Sequence, residues 1–248
     1  MRKPVQGVMV LALLLLVGCA SEPTPQVESA PPTAEASSPS SPVAQAPATT
    51  ATARPSSEES AIANPATDTT VIPGERLGPV TPTATRRDLV SLFGEDHLAD
   101  QAVDVGEGET ENGTVVNQGS DSTFTVVWTD DSKTKIAAIT HLGSAWKTPE
   151  GIGIGTSFDE LKAKLGAFKL YGLDWDYGGT VVLEGSNLAK YDGLLILRLQ
   201  PAENASEQAA SDYEAVTGDR LFESTDPHFD NLGLKVNDMA VYLGQSSQ

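Results

Sequence analysis

The chain has 248 residues, with 16 Lys and Arg against 34 Asp and Glu, a formal charge of −18 and a single Cys. A charge of that sign argues against a nucleic-acid binder, which depends on Lys and Arg to neutralise phosphates. One Cys excludes an internal disulfide and the zinc sites built on two or more thiolates.

Arg2 and Lys3 precede an unbroken apolar run from Val8 to Val17. Such a run rises only about 15 Å as a helix, half the roughly 30 Å hydrocarbon core, so it fits a signal h-region and not a membrane span. The following Leu16-Val17-Gly18-Cys19 resembles the lipobox of bacterial lipoproteins, in which the Cys becomes the first mature residue and carries the lipid. The alternative is an ordinary cleaved signal with an incidental Cys. The resemblance implies a signal peptide over residues 1–18, lipidation of Cys19, and attachment to a membrane without spanning it. Several acyl chains, each contributing about 0.8 kcal/mol per buried CH2, make such an anchor effectively permanent. Ala20 stands where lipoproteins retained in the inner membrane of enteric-like bacteria often carry Asp. That favours an outer membrane, facing the periplasm, in a diderm source.

From Ala20 to Val71 the chain holds 38 Ala, Pro, Ser or Thr among 52 residues, with no Gly and no aromatic residue. This composition does not bury enough apolar surface to offset chain entropy, so residues 19–71 are expected to be the lipidated Cys followed by a disordered tether. A spacer, a sugar-bearing stalk and a segment threaded through a cell wall share this composition.

Every aromatic residue lies after position 90, which leaves residues 72–248 as the folded body, with 13 Lys and Arg and 28 Asp and Glu, or −15. Within it Thr85-Arg-Arg-Asp88-Leu89-Val-Ser-Leu92-Phe93-Gly94 is echoed 72 residues later by Ser157-Phe-Asp-Glu160-Leu161-Lys-Ala-Lys-Leu165-Gly166. Both copies open with a hydroxyl residue followed three places on by an acid, the pattern of a capping box, and close on a glycine suited to a helix end. Leu89, Leu92 and Phe93, and Phe158, Leu161 and Leu165, give each helix one apolar face.

Strand-like runs follow each helix: Gln101-Val105, Thr114-Gln118, Phe124-Trp128 and Lys135-His141, then Phe168-Tyr177, Thr180-Glu184, Leu194-Gln200 and Val236-Leu243. Ala202-Val216, between the last two, reads as a weak helix or ordered loop. The expected fold is α+β: two tandem repeats, 72–147 and 148–248, each a helix plus four strands, forming an antiparallel sheet with the helices on one face.

A glycine-led turn, a capped short helix with a central Leu and a Leu-Gly or Phe-Gly terminus, as in Gly155-Thr156-Ser157 to Gly166, is similar to the small envelope lipoproteins related to BamE (SmpA/OmlA). Two such units in tandem resemble the β-lactamase-inhibitor-protein fold. The resemblance implies a shared concave sheet whose open face meets a protein partner, and no catalytic residue. This chain departs from the assembly lipoproteins in being duplicated, long-tethered and acidic.

His97, His141 and His228 are scattered and make no metal-helix motif. Gly151-Ile-Gly153-Ile-Gly155 has Thr156 where a phosphate loop continues, and reads as a turn into the Ser157 cap. Asp226-Pro-His228-Phe-Asp230-Asn231 reads as a polar loop and not a Ca2+ site, because it lacks the ligand order of an EF-hand. Asp174 and Asp176, two apart on an expected strand, should share one face, while Tyr171, Leu173, Trp175 and Tyr177 share the other and meet the helices. The pair is the candidate partner-binding site; it also fits the acid and base of a secreted hydrolase or a small-ligand or metal-binding module. The reading that accounts for anchor, tether and duplicated sheet together is a non-enzymatic envelope lipoprotein, without cofactor or metal. It binds another envelope protein or supports an envelope assembly.

Overall fold

A computed structural model describes residues 67–106 and 108–244, all within one structural unit, Glu58–Gln248. The expected signal segment, Cys19 and the expected tether up to residue 66 lie outside the described residues. The described chain is α+β. It opens on a small antiparallel pair, β1 (Val71–Ile72) with β2 (Arg76–Leu77). Val71 and Leu77 are fully buried, and Asp68 pairs with Arg76 at 2.6 Å, so the body begins a few residues before the expected boundary.

Helix α1 (Arg86–Phe93) starts on the expected capping box. Thr85 Oγ1 accepts from the Asp88 N–H, and the Asp88 carboxylate accepts from the Thr85 N–H at 2.8 Å. Four antiparallel strands follow: β3 (Leu98–Gly106), β4 (Glu109–Val116), β5 (Phe124–Trp128) and β6 (Ile136–Thr140). Helix α2 (Phe158–Leu165) repeats the capping box with Ser157 and Glu160. Each box satisfies two otherwise orphaned donors, and such caps contribute on the order of 1 kcal/mol.

The second half then departs from the expected helix-plus-four-strand order. It contains β7 (Lys169–Tyr171), β8 (Val181–Val182), β9 (Leu195–Gln200), the short helices α3 (Ala205–Gln208) and α4 (Ala210–Ala215), β10 (Leu221–Glu223) and β11 (Lys235–Val241). Three of these strands form a separate sheet ordered β10-β7-β8, while β9 and β11 join the first four in a sheet ordered β3-β4-β5-β6-β11-β9. The expected Phe168-Tyr177 strand stops at Tyr171. At Gly172 any Cβ would sit 2.4 Å from Gly218 O, and the close approach of that neighbouring turn ends the ladder. The interval 202–216 is helical in two short pieces, as its Ala/Glu/Gln content suggests.

Leu89 and Phe93 of α1 and Phe158, Leu161 and Leu165 of α2 enter one buried cluster with Val116, Phe124, Val126, Trp128, Ile139, Leu195, Leu197, Leu199, Met239 and Val241 of the large sheet. The large-sheet members of this cluster alternate onto one face; α1 meets that face through the edge-on contact of Phe93 with Phe124, and α2 sets Phe158 against Phe168 and Phe229. At the edge of this layer the Trp128 indole N–H donates to Thr114 Oγ1 at 2.9 Å, and Thr114 donates to Asp100 at 2.6 Å. Asp100 in turn pairs with Arg86 of α1 and with Lys133. Although partial burial pushes Asp100 up, the hydrogen bonds from Lys133, Thr114 and Arg86 outweigh it and hold the carboxyl below its usual range. A buried tryptophan is thus tied to the first helix through a fully satisfied polar chain.

Candidate binding surface

The opposite face of the large sheet carries a row of small side chains. The registers pair Ala99 with Val115, Val115 with Thr125, Thr125 with Thr140, and Ala240 with Ile196. The Val241–Ile139 pair of β11 and β6 sets Ala240 beside Thr140. One row, Ala99-Val115-Thr125-Thr140-Ala240-Ile196, therefore crosses all six strands, about 24 Å at the usual interstrand spacing. It carries no charge and nothing larger than Ile, and no member belongs to the cluster that the helices enter. The row is turned away from that cluster, with Ala99 exposed, Thr125 buried and the other four half-buried.

Beyond the β9 edge of this strip lies the segment carrying Asp174 and Asp176. The structure corrects the expectation for it. Residues 174–179 form a turn and not a strand, so Asp174 and Asp176 do not share a strand face. Trp175 and Tyr177 point into solvent, 59% and 58% exposed, whereas Leu173 is buried and Tyr171 is half-buried against the Tyr177 ring at 5.7 Å. The Tyr-Gly-Leu-Asp-Trp-Asp-Tyr alternation is overridden by the backbone around it. Gly179 sits at φ 73° with Leu199 O only 2.1 Å from where a Cβ would be, a contact that admits no side chain.

The turn is firmly held. Leu199 N donates to Gly179 O at 2.9 Å, and the Arg198 guanidinium donates to Asp176 O at 3.0 Å. Asp174 adopts φ 68°, uncommon for a residue with a side chain. Its Oδ1 accepts a hydrogen bond from the Tyr213 hydroxyl of α4. Burial, and then the Asp174 carboxylate, push the Tyr213 phenol up to about 12. Asp176 is exposed.

Between this turn and the end of β9 is an open cleft of about 330 Å³, lined by Asp174, Trp175, Arg198, Gln200, Tyr213 and Asn237 among others. Sequence reading places Asp174 here but misses its companions. Arg198 and Gln200 alternate with the buried Leu197 and Leu199, an ordinary outward strand pattern, and Tyr213 and Asn237 come from distant segments.

The histidines lie apart from the cleft. His97 Nδ1 is 2.7 Å from Asn117 O, and His141 Nδ1 is 3.0 Å from Thr140 Oγ1. His228 pairs with Asp212 at 2.8 Å in a turn where Asp226 accepts from the His228 N–H. The glycine-rich 151–155 stretch leads into the Ser157 cap, with Gly155 N donating to Val236 O at 2.8 Å. Among the described residues no group of three His, Cys, Asp or Glu is placed to hold a metal ion, and no helix is long and apolar enough to cross a membrane.

No family model matches the chain. No curated protein matches it either. Its fold is similar to the crystal structure of the uncharacterized protein yfeY from Escherichia coli, with a TM-score of 0.41 and 17% identity over 71% of this chain and 99% of that one. The functional reading therefore rests on the residues of this chain.

Proposed function

We propose that this chain is a lipid-anchored, non-enzymatic protein of a bacterial envelope that binds another envelope protein, or supports an envelope assembly, through the open face of its large sheet. The six-strand row of small uncharged side chains carries the reading: a partner can cover it without displacing charge. The −15 body around it favours a partner with a basic rim, whose encounter would be accelerated and salt-sensitive. The lipobox-like end at Cys19 and the Pro-rich segment after it support anchoring and reach, with the outer membrane favoured if the source has one. We read the two halves as diverged tandem copies. The matching capping boxes and the direct pairing of β11 with β6 support this, and the extra sheet of the second half would be a later elaboration.

Two measurements test the proposal. Detergent-phase partitioning should be lost in Cys19→Ser, and a variant that partitions like wild type removes the anchor. In-cell cross-linking should capture a partner with the native protein but not with Thr140→Arg/Ala240→Arg, which places two charges mid-row. Equal capture by both, at equal expression and melting temperature, removes the open face as the binding surface.

A further inference from the structure

We infer that the cleft beside Trp175 is a binding site for one or two residues of a neutral saccharide, going beyond the protein partner proposed for the open face. Trp175 supplies the platform. It is the solvent-facing tryptophan, while Trp128 and Trp146 are 0% and 2% exposed, and an uncovered indole is a flat apolar surface that accepts the C–H face of a pyranose. The polar lining supplies the rest. The side chains of Gln200 and Asn237 and the Trp175 indole N–H make no hydrogen bond to described residues. Arg198 uses one N–H on Asp176 O and forms no ion pair among the described residues, leaving donors in its planar fork. Asp174 keeps Oδ2 as an acceptor once Oδ1 takes the Tyr213 hydroxyl. Planar carboxylate, amide and guanidinium groups, mixing donors and acceptors, suit vicinal hydroxyls, each of which gives and takes a hydrogen bond.

Charge decides the ligand class. The body is strongly acidic, yet within the cleft the formal charges of Asp174 and Arg198 cancel, so neither an anion nor a cation is selected there. The cleft is small, at the lower end of the usual range for small-molecule sites, and open, so a longer glycan can run out of it. It is also preformed. Asp174 is fixed at positive φ by Tyr213, and the turn is pinned to β9 at Asp176 and Gly179, so little ordering remains to be done on binding.

The test titrates the full-length protein, in a detergent without sugar headgroups, with neutral gluco-, malto- and N-acetylglucosamine oligosaccharides. Binding is read by calorimetry and by tryptophan emission. At least one series should bind saturably, blue-shift the emission, and change in affinity by less than about twofold across a tenfold rise in salt, because no net charge is neutralised. Trp175→Ala should abolish binding by calorimetry, and Asn237→Ala should weaken it about tenfold. Both positions are exposed, and an unchanged melting temperature shows that neither variant has unfolded. Three results overturn the inference: no saccharide binding at millimolar concentration, binding that survives Trp175→Ala, or Trp175-dependent binding of a Lys- or Arg-rich peptide but of no sugar. Thr140→Arg/Ala240→Arg should leave sugar binding intact, so the failure of the open-face reading and the failure of this one are seen separately.

Discussion

The hydroxyl of Tyr213, on helix α4, donates to Oδ1 of Asp174 across 39 residues of sequence, closing the wall of the Trp175 cleft. The bond holds a non-glycine residue at φ 68°, where backbone strain is usually retained for a reason. Asp174→Asn keeps a residue type that tolerates this conformation but removes the charge. The Tyr213 phenol should then fall from about 12 toward its ordinary value of 10.0, stopping short because burial remains. Tyrosine-selective NMR against pH reads this directly. A phenol that does not move would mean that burial alone sets it.

Two tryptophans should respond in opposite ways. Trp175→Ala removes a side chain that is 59% exposed, and should stay within about 0.5 kcal/mol of wild type. Trp128→Ala opens a fully buried site and strips Thr114 of its donor, so it should cost about 3 to 5 kcal/mol. Denaturant melts of the two variants decide it. The alternation around Trp175 points to a core-sized loss at Trp175 instead, because on a continuous strand that ring would face the helices.

That contrast shows where the sequence is informative. The helices at 86–93 and 158–165 are legible because a capping box is a local device, fixed by residues three apart and closed by a glycine. The strand at Phe124–Trp128 is legible because a short β-rich run bounded by turn residues has few other uses. Residues 172–179 mislead because a period-2 pattern is necessary for a strand but not sufficient. What breaks the strand is contact with Gly218 and Leu199, distant in sequence, and the only local trace is the glycines that flank the run. The cleft is illegible for the same reason: Asp174, Arg198, Tyr213 and Asn237 come from four segments that the fold brings together. The division of the second half into two sheets likewise depends on β10 reaching β7 across some 50 residues.

His228 and Asp212 give a dependence on pH. The hydrogen bond to Asp212 is the main reason His228 is raised above its usual 6.5, and the same bond, with one from Asn231, lowers Asp212 below 3.8. A histidine raised in the folded state stabilises fully below its unfolded value, and that contribution is lost as pH rises through the folded value. A lowered carboxyl stabilises above its unfolded value and loses this as pH falls through the folded one. The pair therefore contributes on the acid side of neutrality, from above the lowered Asp212 value up to the raised His228 value. In Asp212→Asn the His228 resonance should titrate closer to 6.5, and the melting temperature should fall more at pH 5.5 than at pH 8.5. Identical losses at the two pH values would show that the ion pair contributes nothing.

The open face has its own packing constraint. Gly113 on β4 lies beneath Val103 of β3, and a Cβ there would stand 2.2 Å from Val103 Cγ2 and 3.4 Å from Thr125 Cγ2. Val103 is 5% exposed although its strand is the free edge of the sheet, because it folds over the glycine and into the space that a side chain would fill. Gly113→Ala must therefore push Val103 outward or distort the edge, and should cost about 1 to 3 kcal/mol as overpacking. Adding Val103→Ala removes the obstructing methyl groups. The double variant should be more stable than the sum of the two single losses predicts, with a coupling of about 0.5 to 3 kcal/mol, as expected for side chains in direct contact. Simple additivity in the double-mutant cycle would mean that Val103 does not occupy the space above Gly113, and that the edge of the open face is held by something else.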